Sequence, residues 1–410
     1  MSPKRILIFS LAYTPFVGGA ELAIKEITDR LDPNEYSFDM VTLRFDRTLP
    51  EVEKVGNVTV HRIGFTAENV KVSDRALPWQ IKLAKFLFPF TAVFKARSLH
   101  RDEAYDAVWA MMANQAGFGA LLFKLARPSV PFILELQDGN SLRQVRARRP
   151  LVALLWPLYK RIYLKADVIK VISNFIKDMA REVGYHGPIV VIPNGVDIAK
   201  FSAPISVEDA AESKKKFGKH MGDVFLFTAS RLVLSRGVED VIRALGLLPV
   251  NVKFLIAGEG EDRGKLEAIA KKAGVADRVI FAGHVGHTEL PALYKLSDIF
   301  VRPSLIEGMG SAFVEAFAAG LPVVATPVGG IPDFLSDSDR SPDTEPTGLF
   351  CNVRDPESVA RAVKKYMEDP VLTARIVKNA KELAAQKYDW DLIAKDMRQK
   401  VFEPLMKGGG

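Results

Sequence analysis

The stretch Ile299–Ala325, IFVRPSLIEGMGSAFVEAFAAGLPVVA, decides how this chain folds. Ile299–Val301 is β-branched and aromatic, as buried strands are. A turn-forming segment with Pro303, Ser304, Gly308 and Gly310 follows. Ala312–Ala319 then runs through good helix formers and stops at Gly320-Leu321-Pro322, a helix exit. Val323–Ala325 resumes the strand composition. Strand, loop, helix and strand in this order make one crossover unit, and a series of such units builds a parallel sheet covered by helices.

The same alternation extends outward in both directions. Upstream to Val224 the strand-like runs are Val224–Ala229, Val252–Ala257 and Val279–Ala282, with helical patterns at Val238–Leu248, Gly264–Ala273 and Leu290–Leu296. Before Asn194-Gly195 a separate series appears: Arg5–Ser10, Phe38–Leu43, Val58–Ile63, Ala107–Ala110, Pro131–Leu136, Val168–Ile172 and Ile189–Ile192, with helical patterns at Glu21–Leu31 and Asn174–Val183. Ser336–Thr347, rich in Asp, Ser and Pro, reads as a surface loop. The 410 residues are too many for one ordinary core. The expected fold class is therefore α/β, with two doubly wound, Rossmann-like domains. Ligands of such sheets bind outside the carboxyl ends of the strands, so two facing domains would share a cleft.

One cysteine, Cys351, excludes an intramolecular disulfide framework and fits a reducing compartment. The apolar runs Phe86–Phe94 and Leu151–Tyr159 are shorter than the ~20 residues of a spanning helix, and each contains a proline. Lys4-Arg5 with Ile6–Phe9 resembles the start of an export signal, but Tyr13-Thr14-Pro15 interrupts it. The expectation is a cytoplasmic protein without a spanning segment.

Three loops carry the chemistry. In Glu307–Glu315, glycines 308 and 310 let a ligand approach the backbone, and the free N–H groups of the helix start face an anion. Glu315, two turns along, reaches a ribose or sugar diol. Arg231 and Arg236 follow the strand Val224–Ala229, where two guanidinium groups can grip a diphosphate through paired hydrogen bonds. Gly258-Glu259-Gly260 adds a glycine turn to the same rim.

In order, Ile192-Pro193-Asn194-Gly195-Val196-Asp197, Arg231 with Arg236-Gly237, Gly258-Glu259-Gly260, Pro303-Ser304, Glu307 with Glu315, and Gly329-Gly330-Ile331-Pro332 resemble retaining glycosyltransferase family 4. Gly18-Gly19 and Tyr388-Asp389-Trp390 extend the resemblance over essentially the whole chain. It implies a GT-B fold: an acceptor domain of residues 1–196 plus a C-terminal helix at about 387–410, and a nucleotide-sugar donor domain of 197–386. It implies that Arg231 and Arg236 hold the diphosphate, although the second position is more commonly lysine. Glu307 would contact hydroxyls of the transferred sugar, beside the backbone of Gly308, Met309, Gly310, Ser311 and Ala312. Glu315 would hold the ribose, His284 and Val285 would border the base, and Gly18 and Gly19 would face donor phosphates or acceptor. Many members have a histidine after the strand corresponding to Pro131–Leu136, where this chain has Gln137-Asp138-Gly139. Gln137 can hydrogen-bond a sugar hydroxyl but is neither acid nor base. Asp138 either positions the acceptor or caps the next turn.

The resemblance implies retention without a protein nucleophile, the nucleotide-sugar being a co-substrate. No cofactor and no metal are expected. Asp337-Ser338-Asp339 matches a metal-binding pattern but lies in the surface loop, and His284 and His287 lack companions at ligand spacing. The alternatives are a sugar-nucleotide epimerase or hydrolase of the same fold, and a donor-binding protein without catalysis. A dinucleotide dehydrogenase is disfavoured because Gly18-Gly19 lacks the G-x-G-x-x-G spacing.

Charge is unevenly placed. Residues 1–196 hold 27 Lys and Arg against 19 Asp and Glu, a balance of +8, while residues 197–410 hold 29 against 30. Residues 72–101 and Arg143–Lys165 mix cations with bulky apolar residues, and no acid interrupts the second stretch. Arg143, Arg146, Arg148 and Arg149, with an apolar face around Trp156, suit an anionic membrane surface. Nucleic acid is not an expected partner, since no recognised binding module accompanies the charge. A lipid-linked or growing-glycan acceptor, met peripherally at the inner face of the cytoplasmic membrane, is the expected partner beside the donor.

Overall fold

The computed structural model describes residues 2–16, 18–68, 70, 77–148 and 150–407. Contacts divide the chain into two units, Met1–Asn194 with Trp390–Gly410, and Gly195–Asp389. Val196 and Asp389, beside the two crossing points, form a parallel bridge, and Val196 N donates to Tyr388 O at 2.6 Å.

The first unit is built on eight strands: β1 Lys4–Phe9, β2 Tyr36–Leu43, β3 Val52–Val55, β4 Val58–Ile63, β5 Ala107–Met111, β6 Phe132–Leu136, β7 Val168–Val171 and β8 Ile189–Val191. Their order is β3-β4-β2-β1-β5-β6-β7-β8. Only β3 runs antiparallel, against β4. The sequence pattern missed β3, a four-residue edge strand carrying Glu53 and Lys54 that joins β4 through Gly56 at φ 57°. Edge strands of this kind lack the apolar run that marks buried ones. The pattern also gave no helix at Trp79–Asp102, which spans 24 residues with Pro89 inside it. Apolar residues on two of its faces blur the 3.6-residue period that signals an ordinary surface helix.

The C-terminal segment belongs to this unit's core. Phe402 packs against Trp109 at 5.7 Å between ring centroids, and against Tyr36 and Phe38. Trp390, Met397 and Val401 are buried in the same cluster. Within the sheet, Glu135 on β6 and Lys170 on β7 are register partners, and both are fully buried. Lys170 Nζ donates to Glu135 Oε1 at 2.5 Å, and Trp109 Nε1 donates to Oε2 at 3.0 Å.

The second unit has six strands, all parallel: β9 Val224–Ala229, β10 Val252–Ala257, β11 Val279–Gly283, β12 Ile299–Arg302, β13 Val323–Ala325 and β14 Leu349–Phe350. Their order is β11-β10-β9-β12-β13-β14. Helices Val238–Leu245 and Pro356–Glu368 close one face over Leu226, Phe254, Ile256 and Val301. Cys351 is buried here, its Sγ directed at Ala325 O, and burial pushes its thiol up to about 12. That thiol is inert packing at neutral pH.

The buried pair in the first unit yields a stability test. Lys170→Met leaves the Glu135 charge buried without its cation and should cost about 3–5 kcal/mol in urea unfolding. Adding Glu135→Gln should restore most of that loss.

Candidate active site

In the second unit the chain runs from β9 to β10 and β11 on one side, and returns to place β12, β13 and β14 on the other. The loops after β9 and β12 therefore separate at the switch point, where open α/β sheets bind ligands. Arg231 and Arg236 sit on the first of these loops and Glu307 on the second.

Glu307 is the best-determined group on this rim. It is 7 % exposed, and its Oε2 accepts three bonds: from Arg236 Nη1 at 2.7 Å, Arg302 Nη2 at 3.1 Å and Ser304 Oγ at 3.3 Å. Oε1 accepts none among the described residues, so the fold fixes the carboxylate through one oxygen. Arg302, at the end of β12, is itself buried. Its Nη1 donates to Ala229 O at 3.1 Å and its guanidinium lies 4.2 Å from the Phe313 ring centroid. Burial lowers the Arg302 pKa, opposed by the adjacent Glu307 carboxylate. Arg302 was not among the residues expected from sequence, although a charged residue closing the apolar run Ile299–Val301 is a visible signal.

Glycines let these loops stack. A Cβ on Gly237, at φ 68°, would lie 1.9 Å from Pro303 O, and one on Gly329, at φ 57°, would lie 1.7 Å from Glu307 O. Leu305 N donates to Ser235 O at 2.8 Å, tying the β9 loop to the β12 loop. Gly258, read from sequence as a donor-binding position, is needed for an internal reason: its Cβ would lie 1.9 Å from Ser230 O. Gly310, at φ 89°, likewise faces Arg302 and Phe313, where a Cβ would come within 2.6 Å of both. The loop shape around Arg231 and Glu307 thus depends on close backbone packing.

Gly310 caps the helix Ser311–Ala319. The N–H groups of Ser311 and Ala312, in the first turn of this helix, have no acceptor among the described residues. Met309 is buried under this loop, beside buried Gly308. Arg231 is exposed and Arg236 half-buried, the latter also donating to Ile306 O at 3.0 Å. His284 is exposed and Val285 half-buried, just past β11 on the same edge of strand ends. Glu315 is buried on the helix, and Tyr294 Oη donates to its Oε2 at 2.8 Å. Burial pushes the Glu315 carboxyl up, opposed by the Tyr294 hydroxyl.

The aspartates of the metal-like pattern are engaged by the fold. Asp337 Oδ2 accepts from Phe350 N at 2.7 Å, and Asp339 pairs with Lys365 at 2.6 Å. Among the described residues no group of three or more His, Cys, Asp and Glu is placed to hold a metal ion.

In the first unit, Gly18 caps the helix Gly19–Asp29 after β1, and Glu21 Oε2 accepts from Gly18 N at 2.9 Å. Gly19 has open space where a Cβ would be. Gln137 is bonded within the unit: its Nε2 donates to Glu135 Oε1 at 2.6 Å and its Oε1 accepts from Asn194 Nδ2 at 3.0 Å. It relays the buried Glu135–Lys170 pair to the segment where the chain leaves the unit. Asp138 Oδ1 accepts from Asn140 N at 3.0 Å, the turn-capping alternative. Asp138 and Asn140 also line a pocket with Met112, Leu142, Tyr159 and Tyr163.

Comparison with known proteins completes the assignment. Residues 17–200 match Glycosyltransferase Family 4, and residues 209–383 match Glycosyl transferases group 1. The chain belongs to the group 1 glycosyltransferases of family 4. An uncharacterized glycosyltransferase of Methanocaldococcus jannaschii is 28 % identical over 406 residues, covering 96 % of each chain. A GDP-mannose-dependent α-(1-6)-phosphatidylinositol monomannoside mannosyltransferase of Mycobacterium tuberculosis is 29 % identical over 246 residues, 57 % of this chain and 61 % of that one. The fold is shared with sucrose-phosphate synthase of Thermosynechococcus elongatus at a TM-score of 0.81, with 20 % identity over 99 % of this glycosyltransferase and all of that chain. This is the GT-B fold.

Glu315 offers a test of site against stability. Its raised pKa means the ionised form is disfavoured in the folded state, a cost that is absent below the ordinary carboxylate range and grows as pH rises through the folded value. Glu315→Gln should therefore melt at or above the wild-type temperature at neutral pH, with the difference closing toward pH ~4. Nucleotide-sugar affinity should fall about 10–100-fold with the loss of a charged acceptor, measured by calorimetry.

Proposed function

We propose that this glycosyltransferase moves a hexosyl group, with retention and without a metal, from a UDP- or GDP-sugar to a lipid-linked or growing-glycan acceptor at a membrane surface. The observation that carries the reading is Glu307, held on one oxygen by Arg236, Arg302 and Ser304 and open on the other. Such a fixed carboxylate orients a sugar by its hydroxyls beside two kinds of anion donor: the Arg231 guanidinium and the helix start at Ser311.

As the sugar–phosphate bond breaks, negative charge grows on the diphosphate. Arg231, the free N–H groups of Ser311 and Ala312, and the remaining donors of Arg236 stabilise it in place, without reorganisation. A departing phosphate oxygen takes the acceptor proton on the same face of the sugar, which gives retention. Arg236 has a double task, since it also pins Glu307. The fork geometry of arginine suits that division better than a single ammonium would. The mycobacterial mannosyltransferase, GDP-mannose-dependent by name and acting on a phosphatidylinositol mannoside, supports the donor and acceptor classes.

Arg231→Ala should lower kcat about 10²–10³-fold, as for loss of an oxyanion-type donor. Steady-state turnover within threefold of wild type would remove Arg231 from the reaction. Activity should also survive excess EDTA, and a loss restored by Mg²⁺ or Mn²⁺ would overturn metal independence.

A further inference from the structure

The helix Trp79–Asp102 is apolar on two sides. One side, with Ile81, Ala84, Phe88, Ala92 and Ala96, is buried in the first unit. The other carries Trp79, Leu83, Phe86, Phe90 and Phe94, exposed by 69, 37, 61, 54 and 71 %. Spacings of four, three, four and four residues put these five within roughly 80° of arc, a continuous stripe along the helix. An outward helix face is normally polar, and an exposed aromatic row of this length marks a surface that meets something apolar.

The charge on the same helix identifies what it meets. Lys82, Lys85, Lys95, Arg97 and Arg101 are its ionised residues before Asp102, and no acid lies between Trp79 and Arg101. Arg97 and Arg101 are exposed and continue the line of the stripe, while Lys82 flanks it. A second copy docked symmetrically would bring cations against cations, because a two-fold interface pairs the same patch with itself. An anionic lipid surface satisfies both halves of the pattern, with aromatic rings at the headgroup level and cations at the phosphates. The helix lies on such a surface, for no helix among the described residues is long and apolar enough to cross a membrane.

Neighbouring helices also carry exposed apolar residues. Helix Gln115–Ala126 packs beside Trp79–Asp102 through Gly119, next to Ala92, and beside Trp156–Leu164 through Gly117, next to Ile162. Its Leu125 is exposed, as are Leu154, Leu155 and Leu158 on the far side. Trp156, half-buried among them, stacks on Tyr159 at 5.3 Å and lies under the Arg146 guanidinium. Arg149 and the side chain of Arg148 lie outside the described residues, as do residues 72–76 of the other basic stretch; Arg143 is exposed.

We propose that the stripe Trp79-Leu83-Phe86-Phe90-Phe94 is the docking face of this enzyme for an anionic lipid bilayer. The inference rests on the reading of a membrane-borne acceptor and locates where the enzyme meets that membrane. Cosedimentation with phosphatidylcholine vesicles, with and without about 30 % phosphatidylglycerol, tests it. Wild type should bind the anionic vesicles and release them as salt rises. Phe86→Ser/Phe90→Ser/Phe94→Ser should weaken binding at least about tenfold while keeping nucleotide-sugar affinity, because these side chains are already exposed. Quenching of tryptophan fluorescence by brominated lipid should be strong in wild type and largely lost in Trp79→Phe. Binding by wild type that the serine variant retains, with quenching unchanged in Trp79→Phe, would place docking elsewhere and leave the membrane reading standing. No binding by wild type to either vesicle would sink the inference, and turnover confined to soluble acceptors would then sink the reading as well. A wild-type dimer that the serine variant converts to monomer would assign the stripe to self-association instead.

Discussion

One carboxylate oxygen at the end of β12 organises the second unit. Glu307 Oε2 is shared by Arg302, Arg236 and Ser304, which come from the strand end, the β9 loop and the intervening turn. A buried carboxylate with this many donors is stable only if each donor is held in turn. Arg302 is braced by Ala229 O and the Phe313 ring, and Arg236 by Ile306 O. The glycines at 237 and 329 follow from the same requirement, since a side chain at either would push the loops apart, and one at 310 would displace the Arg302 and Phe313 side chains. Pre-organisation here means that the polar groups are aligned before a ligand arrives, at a cost already met by folding.

The first unit uses the same device differently. Glu135 and Lys170 form a buried pair across adjacent strands, and Gln137 extends it to Asn194, where the chain passes into the second unit. At the position after β6, Gln137 has both its amide nitrogen and its amide oxygen hydrogen-bonded within the unit. The loop is thereby fixed in shape, and Asp138 beside it caps a turn on the wall of the pocket.

Much of this was legible in sequence, and the reasons are local. β9, β10 and β13 coincide with their apolar runs because parallel strands covered on both faces need little else. The positions of the rim loops were legible because glycine-containing turns follow the strands, so Arg231, Arg236 and Glu307 fall after β9 and β12 as the pattern places them. The internal contacts of Gly258 with the Ser230 backbone and of Gly310 with the Arg302 and Phe313 side chains were not, since sequence shows that a glycine is needed but not which neighbour comes close. Arg302 escaped because a single charge at a strand end also suits solvent, and only the fold shows it buried. The exposed stripe on Trp79–Asp102 was half legible: its composition showed the apolar and cationic content, while its facing required the helix.

On the proposed reading, Glu307 acts as positioned by Arg302 together with Arg236. A double-mutant cycle on donor turnover and thermal unfolding tests this most directly. Arg302→Leu alone should destabilise by about 1–3 kcal/mol, because it removes one of the two cations that hold the buried Glu307 carboxylate, and should reduce turnover toward the level of Glu307→Gln. The double variant should recover most of the stability and show no further loss of turnover, since both changes remove one interaction. Additive losses in turnover, or an Arg302→Leu enzyme that keeps wild-type activity, would contradict the account.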